Sequence, residues 1–460
     1  MFAATPQFEA ALRIVKTLRA AGHQAYLAGG CVRDLLLGRS PVDYDVATSA
    51  TPDVVLDMFP RTFAVGAHFG VVLVAPEDTG AGFVTEVATF RSDGAYSDGR
   101  HPDVVRYTLS PEEDVKRRDF TVNGLLLDPV LISAQTSSKG LPPAGVLDYV
   151  GGVADLEAGV LRAIGRAELR FEEDHLRMLR AVRFAARFGF ALEASTLRAI
   201  RSLASRIHAV SRERIRDELT KMLTEGRARR AFELLDETGL LREVLPEIDR
   251  MKGVEQPPQF HPEGDVWTHT LMLLEQLEAG CSMTLAWGAL LHDVGKPPTF
   301  RVAPDRIRFD GHVEVGMAMA TEICRRFRFS NDETRQIVAL VQNHMRFADV
   351  ERMKTSTLKR FFRLEKFDEH LALHRMDAMA SNRDLHYWKF ARERWQSMPE
   401  ETVRPQPLIT GRELIALGYE PGAQFREMLQ AAEDAQLEGT VQTSEQALAL
   451  VRERFGAPPA

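Results

Sequence analysis

Cysteine is scarce in this chain of 460 residues. Cys31, Cys281 and Cys324 lie far apart, with no C-x-x-C pair. That spacing excludes a disulfide framework and a zinc–thiolate centre, and it suits a reducing compartment. No apolar run is long enough to span a bilayer. The opening MFAATPQFEA is no signal peptide. A cytoplasmic protein without a membrane partner is therefore expected. Internal repeats and low-complexity segments are missing as well. So is any overall basic excess, since the formal net charge is −7. The distribution is uneven, however. Residues 161–230 carry 17 Lys and Arg against 9 Asp and Glu. A basic segment in an acidic chain fits a local RNA-backbone track, although charge-rich helices are often only solvated surfaces.

What is present reads as several domains. Residues 1–150 read as α/β, with β-rich runs at Phe69–Val74, Phe83–Phe90 and Val104–Leu109. SDGAYSDGRHPD, Ser92 to Asp103, has the composition of a mobile loop. SAQTSSKGLPPAG, Ser133 to Gly145, reads as a disordered surface insertion. Beyond Asp148 the pattern turns helical and stays so. A first helical block, 151–252, ends at the proline-rich GVEQPPQFHPEG. A second fills 253–398, and a tail occupies 399–460. The expected fold class is multidomain α+β: an α/β head followed by all-helical segments.

The segment LAGGCVRDLLLGRSPVDYDVATSATPD, Leu27 to Asp53, carries the most chemistry. Ala25–Ala28 reads as a strand and Val32–Leu37 as the opening of a helix, with Gly29 and Gly30 at the junction. Backbone N–H groups there suit a triphosphate. On a strand, residues i and i+2 share a face, so Asp43 and Asp45 would converge. Two converging carboxylates repel unless a divalent cation sits between them, and their hard oxygens suit Mg²⁺. Each motif alone is weak, since a lone D-x-D is usually solvated and a lone Gly-Gly is usually a turn. Their order within a short span points to nucleotidyl transfer. Glu86, in the strand-like FVTEVATF, is a third candidate acid. A carboxylate among apolar neighbours is costly unless paired or metal-bound, and a salt-bridged strand residue is the competing reading.

GG-x-V-R-D-x-L-L-G followed by D-x-D and T-x-A-x-P resembles the head of class II tRNA nucleotidyltransferases and bacterial poly(A) polymerases. The resemblance extends over the whole chain as head, neck, HD domain and tail. It implies two-metal nucleotidyl transfer from CTP and ATP to the 3′ end of tRNA, with CMP, CMP and AMP added in turn. Asp43 and Asp45 would be catalytic and hold Mg²⁺, with Glu86 the candidate third catalytic acid beside them. Gly29, Gly30 and Arg33 would hold the triphosphate. RRDFTVN matches a second motif, in which Arg118 would face the phosphates and Asp119 and Asn123 the ribose. Glu173-Asp174-x-x-Arg177-x-x-Arg180 matches the base-reading motif, with Asp174, Arg177 and Arg180 at the nucleotide. Residues three apart on a helix share a face. An accepting Asp174 beside a donating Arg177 would take the amino group and ring nitrogen that cytosine and adenine both present, and would reject guanine and uracil. A surface salt bridge is the plain alternative. SRERIRDELTK, Ser211 to Lys221, resembles the last neck motif and would brace that helix.

The second helical block carries His269, His292-Asp293 and Asp377. LLHDVGKP resembles the signature of HD-domain metal phosphohydrolases. That likeness implies a divalent transition metal (Ni²⁺, Mn²⁺ or Co²⁺), which nitrogen-rich ligands suit better than Mg²⁺. His312 and His344 stand where some HD enzymes hold a second metal, though buried histidines are often structural. The tail glycines Gly411, Gly418 and Gly422 would let a backbone approach tRNA phosphates, or simply cap the HD block. Addition of A only or CC only, poly(A) synthesis, and an HD phosphohydrolase with an RNA-binding head are the competing functions.

Overall fold

A computed structural model describes all residues except 1–4, 65–69, 77–81, 95–103, 132–144, 260 and 459–460. Most of the Ser92–Asp103 segment and nearly all of Ser133–Gly145 lie outside the described residues, as does Phe69. The chain divides into two compact units, Met1–Pro246 and Glu247–Ala460.

The first unit opens with α1 (Pro6–Ala20), whose side-chain cap is Thr5, accepting from the Phe8 N–H at 3.2 Å. Phe8, Ala11, Ile14, Val15 and Leu18 recur at helical spacing and are buried. Among the described residues the strands that follow are β1 (Ala25–Ala28), β2 (Asp45–Thr48), β3 (Thr62–Phe63), β4 (Val71–Val74), β5 (Thr85–Thr89), β6 (Arg91–Asp93), β7 (Val105–Tyr107), β8 (Leu125–Leu127) and β9 (Val146–Asp148). Seven form one sheet in the order β3-β4-β5-β2-β1-β8-β9, while β6 and β7 pair separately. Of the pairs in the large sheet, only β2 with β5 is parallel. The helices of this part are α2 (Gly30–Leu36), α3 (Pro52–Met58) and α4 (Pro111–Lys116). The expected strand–glycine–helix order at 25–37 is thus observed. Gly29 turns the chain between β1 and α2 with φ +72°, a conformation that L side chains rarely adopt.

Beyond the sheet come α5 (Gly152–Ala158), α6 (Ala167–Glu173) and α7 (Leu176–Phe188). The helices Ala194–Leu203, Arg212–Thr224 and Ala228–Glu237 follow. The region is not wholly helical, because Val160–Leu161 and Ala191–Leu192 form a small parallel ladder. Arg183 on α7 donates to Glu218 at 2.7 Å in a buried ion pair, so the helix Arg212–Thr224 braces α7.

In the second unit, the helices Val266–Leu274, Met283–Leu291, His312–Arg326, Asn331–Asn343 and Phe367–Ala380 supply the buried core. A short antiparallel hairpin, Arg301–Val302 with Ile307–Arg308, again interrupts the expected helical pattern. The last helices, Ala423–Glu438 and Ser444–Phe455, share a cluster of Leu414, Tyr419, Met428 and Val451. They are tied to the helix Thr355–Phe362 by Arg360 to Glu433 at 2.9 Å and Lys359 to the Leu437 carbonyl at 2.7 Å. Among the described residues, no helix is long and apolar enough to cross a membrane.

Candidate active site

All twelve head and neck candidates line one open cleft of about 960 Å³: Gly29, Gly30, Arg33, Asp43, Asp45, Glu86, Arg118, Asp119, Asn123, Asp174, Arg177 and Arg180. The acidic corner is assembled from two adjacent strands. β2 begins at Asp45, opposite Ala28 of β1 and hence beside the glycine turn. Asp43 does not lie on β2 but two residues before it, outside any regular element; Tyr44 between them is buried, and Asp43 and Asp45 both line the cleft. Glu86 is on the neighbouring β5, where Thr85, Val87 and Thr89 face the core and Glu86 points the other way. It is therefore exposed on the cleft and not embedded among its apolar sequence neighbours. Burial, and then the Glu86 charge, push the Asp45 carboxyl up to about 6; Asp43 adds to this and Arg118 opposes it. A cation held by these oxygens would reverse that penalty, so the donor set fits a divalent metal.

The opposite wall is basic. A side chain at Gly29 would begin 2.9 Å from the Arg118 guanidinium, so the glycine lets the backbone and that cation converge. Arg118 is steadied by Asp114 at 3.0 Å. Arg33 is more committed than its motif suggests. It is buried, donates to Asp34 and to the Asn123 amide oxygen (2.9 and 2.5 Å), and its guanidinium stands 4.4 Å from the Phe188 ring centroid. Asn123 in turn donates to Asp119 at 3.0 Å, and Arg180 donates to Asp119 at 2.7 and 3.0 Å. Burial raises the Asp119 carboxyl, but Arg180 and Asn123 outweigh it and hold the group at about 2.

Asp174 and Arg177 do not share one helix. Asp174 has an extended backbone (φ −147°, ψ 105°) at the break between α6 and α7. Its Oδ1 accepts from the Leu176 N–H at 3.0 Å, and its carbonyl accepts from the Arg177 N–H at 3.0 Å, so both groups are engaged where α7 begins. Its Oδ2 accepts from Arg214 at 2.7 Å. Arg177 donates to Glu173 at 2.5 Å. Both side chains still border the cleft, each held by a separate partner. Arg117, Arg183, Phe184, Arg214 and Lys221 also line it and were missed as site residues, though Arg117, Arg214 and Lys221 sit inside motifs already singled out.

The second unit gathers the other predicted set. His269 lies within Val266–Leu274, and His292 and Asp293 follow Met283–Leu291 directly. Asp377 lies within Phe367–Ala380. His269 Nε2 stands 3.1 Å from Asp377 and 3.4 Å from His292 Nε2. These three side chains form one group with ligand-like spacing, and Asp293, His312 and His344 form another. His292 Nε2 lies 3.1 Å from Asp293, which also receives Lys296 at 2.7 Å. The Nε2 atoms of His312 and His344 are buried without a hydrogen-bond partner. Such atoms are costly unless something coordinates them, so this cluster also fits divalent metal. Gly295 makes the approach feasible, since a Cβ there would stand 2.1 Å from the His312 carbonyl oxygen. Burial opposes the charge of His269, but hydrogen bonds to Asp377 and Glu263 hold its pKa up at about 9. His344 is driven down to about 4 by burial. Glu263 and His261 adjoin the cluster and were missed, because the proline-rich 253–264 segment reads only as a break.

Residues 25–162 match the family described as poly A polymerase head domain. Residues 189–252 match a probable RNA- and SrmB-binding site of polymerase A, and 312–451 match tRNA nucleotidyltransferase domain 2. The chain is 37% identical over 294 residues to a CCA-adding enzyme of Latilactobacillus sakei, covering 63% of this chain and 70% of that protein. It is 43% identical over 235 residues to the one of Geobacillus thermodenitrificans, covering 51% of this chain and 54% of that protein. The chain thus spans about half to two thirds of the length of the curated relatives it matches. The crystal structure of the Bacillus stearothermophilus CCA-adding enzyme in complex with CTP aligns over 98% of both chains, at TM-score 0.72 and 28% identity. The Thermotoga maritima CCA-adding enzyme complexed with tRNA shares the fold at TM-score 0.58 and 18% identity.

Proposed function

The chain belongs to the family of CCA-adding enzymes, and from that premise we propose that it adds CMP, CMP and AMP from CTP and ATP to the 3′ end of tRNA without a nucleic-acid template. The observation that carries the reading is the cleft itself, with an acidic corner on β2 and β5 facing an arginine wall. Asp43 and Asp45 would hold Mg²⁺, with Glu86 completing the carboxylate set. When bound, the metal activates the attacking 3′-hydroxyl and stabilises the leaving pyrophosphate. Gly29, Gly30 and Arg118 would hold the triphosphate. Asp119, Asn123 and Arg180 form one hydrogen-bonded group suited to the ribose hydroxyls. Asp174 would accept from the exocyclic amine of C or A, and Arg177 would donate to the adjacent ring nitrogen. Arg33 would act mainly by holding Asn123. We also keep the finer division into head, neck, HD domain and tail at 1–150, 151–252, 253–398 and 399–460.

The test is extension with Mg²⁺ on tRNAs ending before CCA, after C and after CC, with each nucleotide alone and in mixture. CMP, CMP and AMP addition that then stops is expected, and Asp43→Ala abolishes it. AMP added only to the CC-ended tRNA would make this an A-adding enzyme; CMP addition that stops after CC would make it a CC-adding one. Unlimited A on any RNA would make it a poly(A) polymerase. Addition that survives Asp43→Ala would overturn the head mechanism.

A second reading rests on the buried histidine cluster. His269, His292, Asp293 and Asp377 would hold a divalent transition metal, and His312 and His344 with Asp293 a second. When bound, such metals activate water against a phosphoester. Manganese-dependent release of phosphate from a phosphomonoester or a 2′,3′-cyclic phosphate, lost in Asp293→Ala while nucleotide addition persists, is the expected result. Absence of that activity under every metal would remove this reading.

A further inference from the structure

We infer that Glu263 is the positioning residue of the histidine cluster, a carboxylate that fixes His269 so that its Nε2 alone faces the metal. The inference rests on the metal reading just given. Glu263 has a side chain only 3% exposed, and its Oε1 accepts from His269 Nδ1 at 2.7 Å and from His261 Nδ1 at 2.9 Å. A carboxylate oxygen can only accept, so both Nδ1 atoms carry the proton. The far nitrogen of His269 is then the ligand nitrogen, and it is the atom that stands 3.1 Å from Asp377 and 3.4 Å from His292 Nε2. The imidazole is wholly buried, so it cannot exchange this partner for water.

The same three residues, His261, Glu263 and His269, also satisfy a metal-ligand spacing of their own. Glu263 Oε2 is buried without a hydrogen-bond partner, but the two ring nitrogens argue against an ion there. Both Nδ1 atoms already sit at hydrogen-bond distance from one carboxylate oxygen, and an ion would have to displace both protons. Carboxylate to histidine to metal is the arrangement that orients a ligand ring and raises its basicity. The arrangement also explains why a glutamate lies in a loop with no helical or strand periodicity. Its place is set by the ring it holds, not by a core face.

The test uses the full chain carrying Asp43→Asn and Asp45→Asn, which silences the acidic corner of the head, and Mn²⁺ as the probe. Calorimetric titration of this parent is compared with the same chain carrying Glu263→Gln or Glu263→Asp. Glu263→Gln is expected to weaken Mn²⁺ binding by about 10–100-fold, with an unchanged tryptophan emission spectrum. Glu263→Asp, which keeps the charge but withdraws it by one methylene, is expected to fall between. The Co²⁺ absorption spectrum should shift in Glu263→Gln, a change that a merely structural role would not cause. Parent affinity and an unchanged Co²⁺ spectrum in either correctly folded variant would overturn the inference. If the parent itself binds no Mn²⁺, the metal reading fails, and this inference falls with it.

Discussion

Replacing Asp45 by Asn should stabilise the metal-free protein while abolishing nucleotide addition. Three carboxylates, those of Asp43, Asp45 and Glu86, share one corner of the cleft. Burial, followed by the Glu86 charge, lifts Asp45 from an ordinary 3.8 to about 6. An aspartate raised in the folded state binds more protons folded than unfolded, so stability falls as pH rises between those two values. Below pH 4 the group is neutral in both states and the penalty is absent; above pH 6 it is complete. A shift of about two units corresponds to about 3 kcal/mol at most. Partial solvent contact reduces this, and about 1–2 kcal/mol is expected. For a unit of this size, each kcal/mol moves Tm by about 2–4 °C. Asp45→Asn in EDTA at pH 7.5 should therefore melt about 2–8 °C above wild type by calorimetry. The gap should close near pH 4. The four tryptophans, Trp267, Trp287, Trp388 and Trp395, all lie in the second unit. Their emission is an internal reference that should not shift. Added Mg²⁺ should raise the wild-type midpoint and leave the variant unmoved, because only the wild type gains binding energy. A variant that melts at or below wild type in EDTA, or a gap independent of pH, would refute the account.

Asp119→Asn should cost about 1–2 kcal/mol at pH 7, because it leaves Arg180, a third exposed on the cleft, facing a neutral partner. The folded carboxyl titrates at about 2, so its stabilisation is complete above the unfolded value and lost as pH falls towards 2; acid unfolding of the first unit should be flatter in the variant, and equal acid limbs would count against the pairing. Gly295→Ala should lower the urea midpoint read by tryptophan emission, since the new Cβ would stand 2.1 Å from the His312 carbonyl oxygen and 2.6 Å from the Gly316 nitrogen. An unchanged midpoint would show that these two backbones part at no cost.

Local order was legible in the residues. The strand–glycine–helix of 25–37 could be read because Gly29 needs a positive φ and apolar residues flank it on both sides. The identities of the cleft residues were also legible, since Asp43, Asp45, Asp119, Asn123, Asp174 and Arg177 fall in compact motifs and all border the cleft. Their geometry was not. Periodicity placed Asp43 on a strand and Asp174 on a helix. Asp43 instead precedes β2 outside any regular element, and Asp174 spends its carboxylate on the Leu176 N–H and on Arg214 forty residues away. Glu86 looked buried because its neighbours are apolar; strand alternation and the position of β5 beside β2 turned it into the cleft.

By itself the sequence determined which chemistry the chain can host, because ligand types and short spacings are covalent facts. Only the tertiary structure decided which groups meet. Asp377 joins His269 and Arg183 joins Glu218 through contacts made when separate segments pack, and no local pattern encodes that distance.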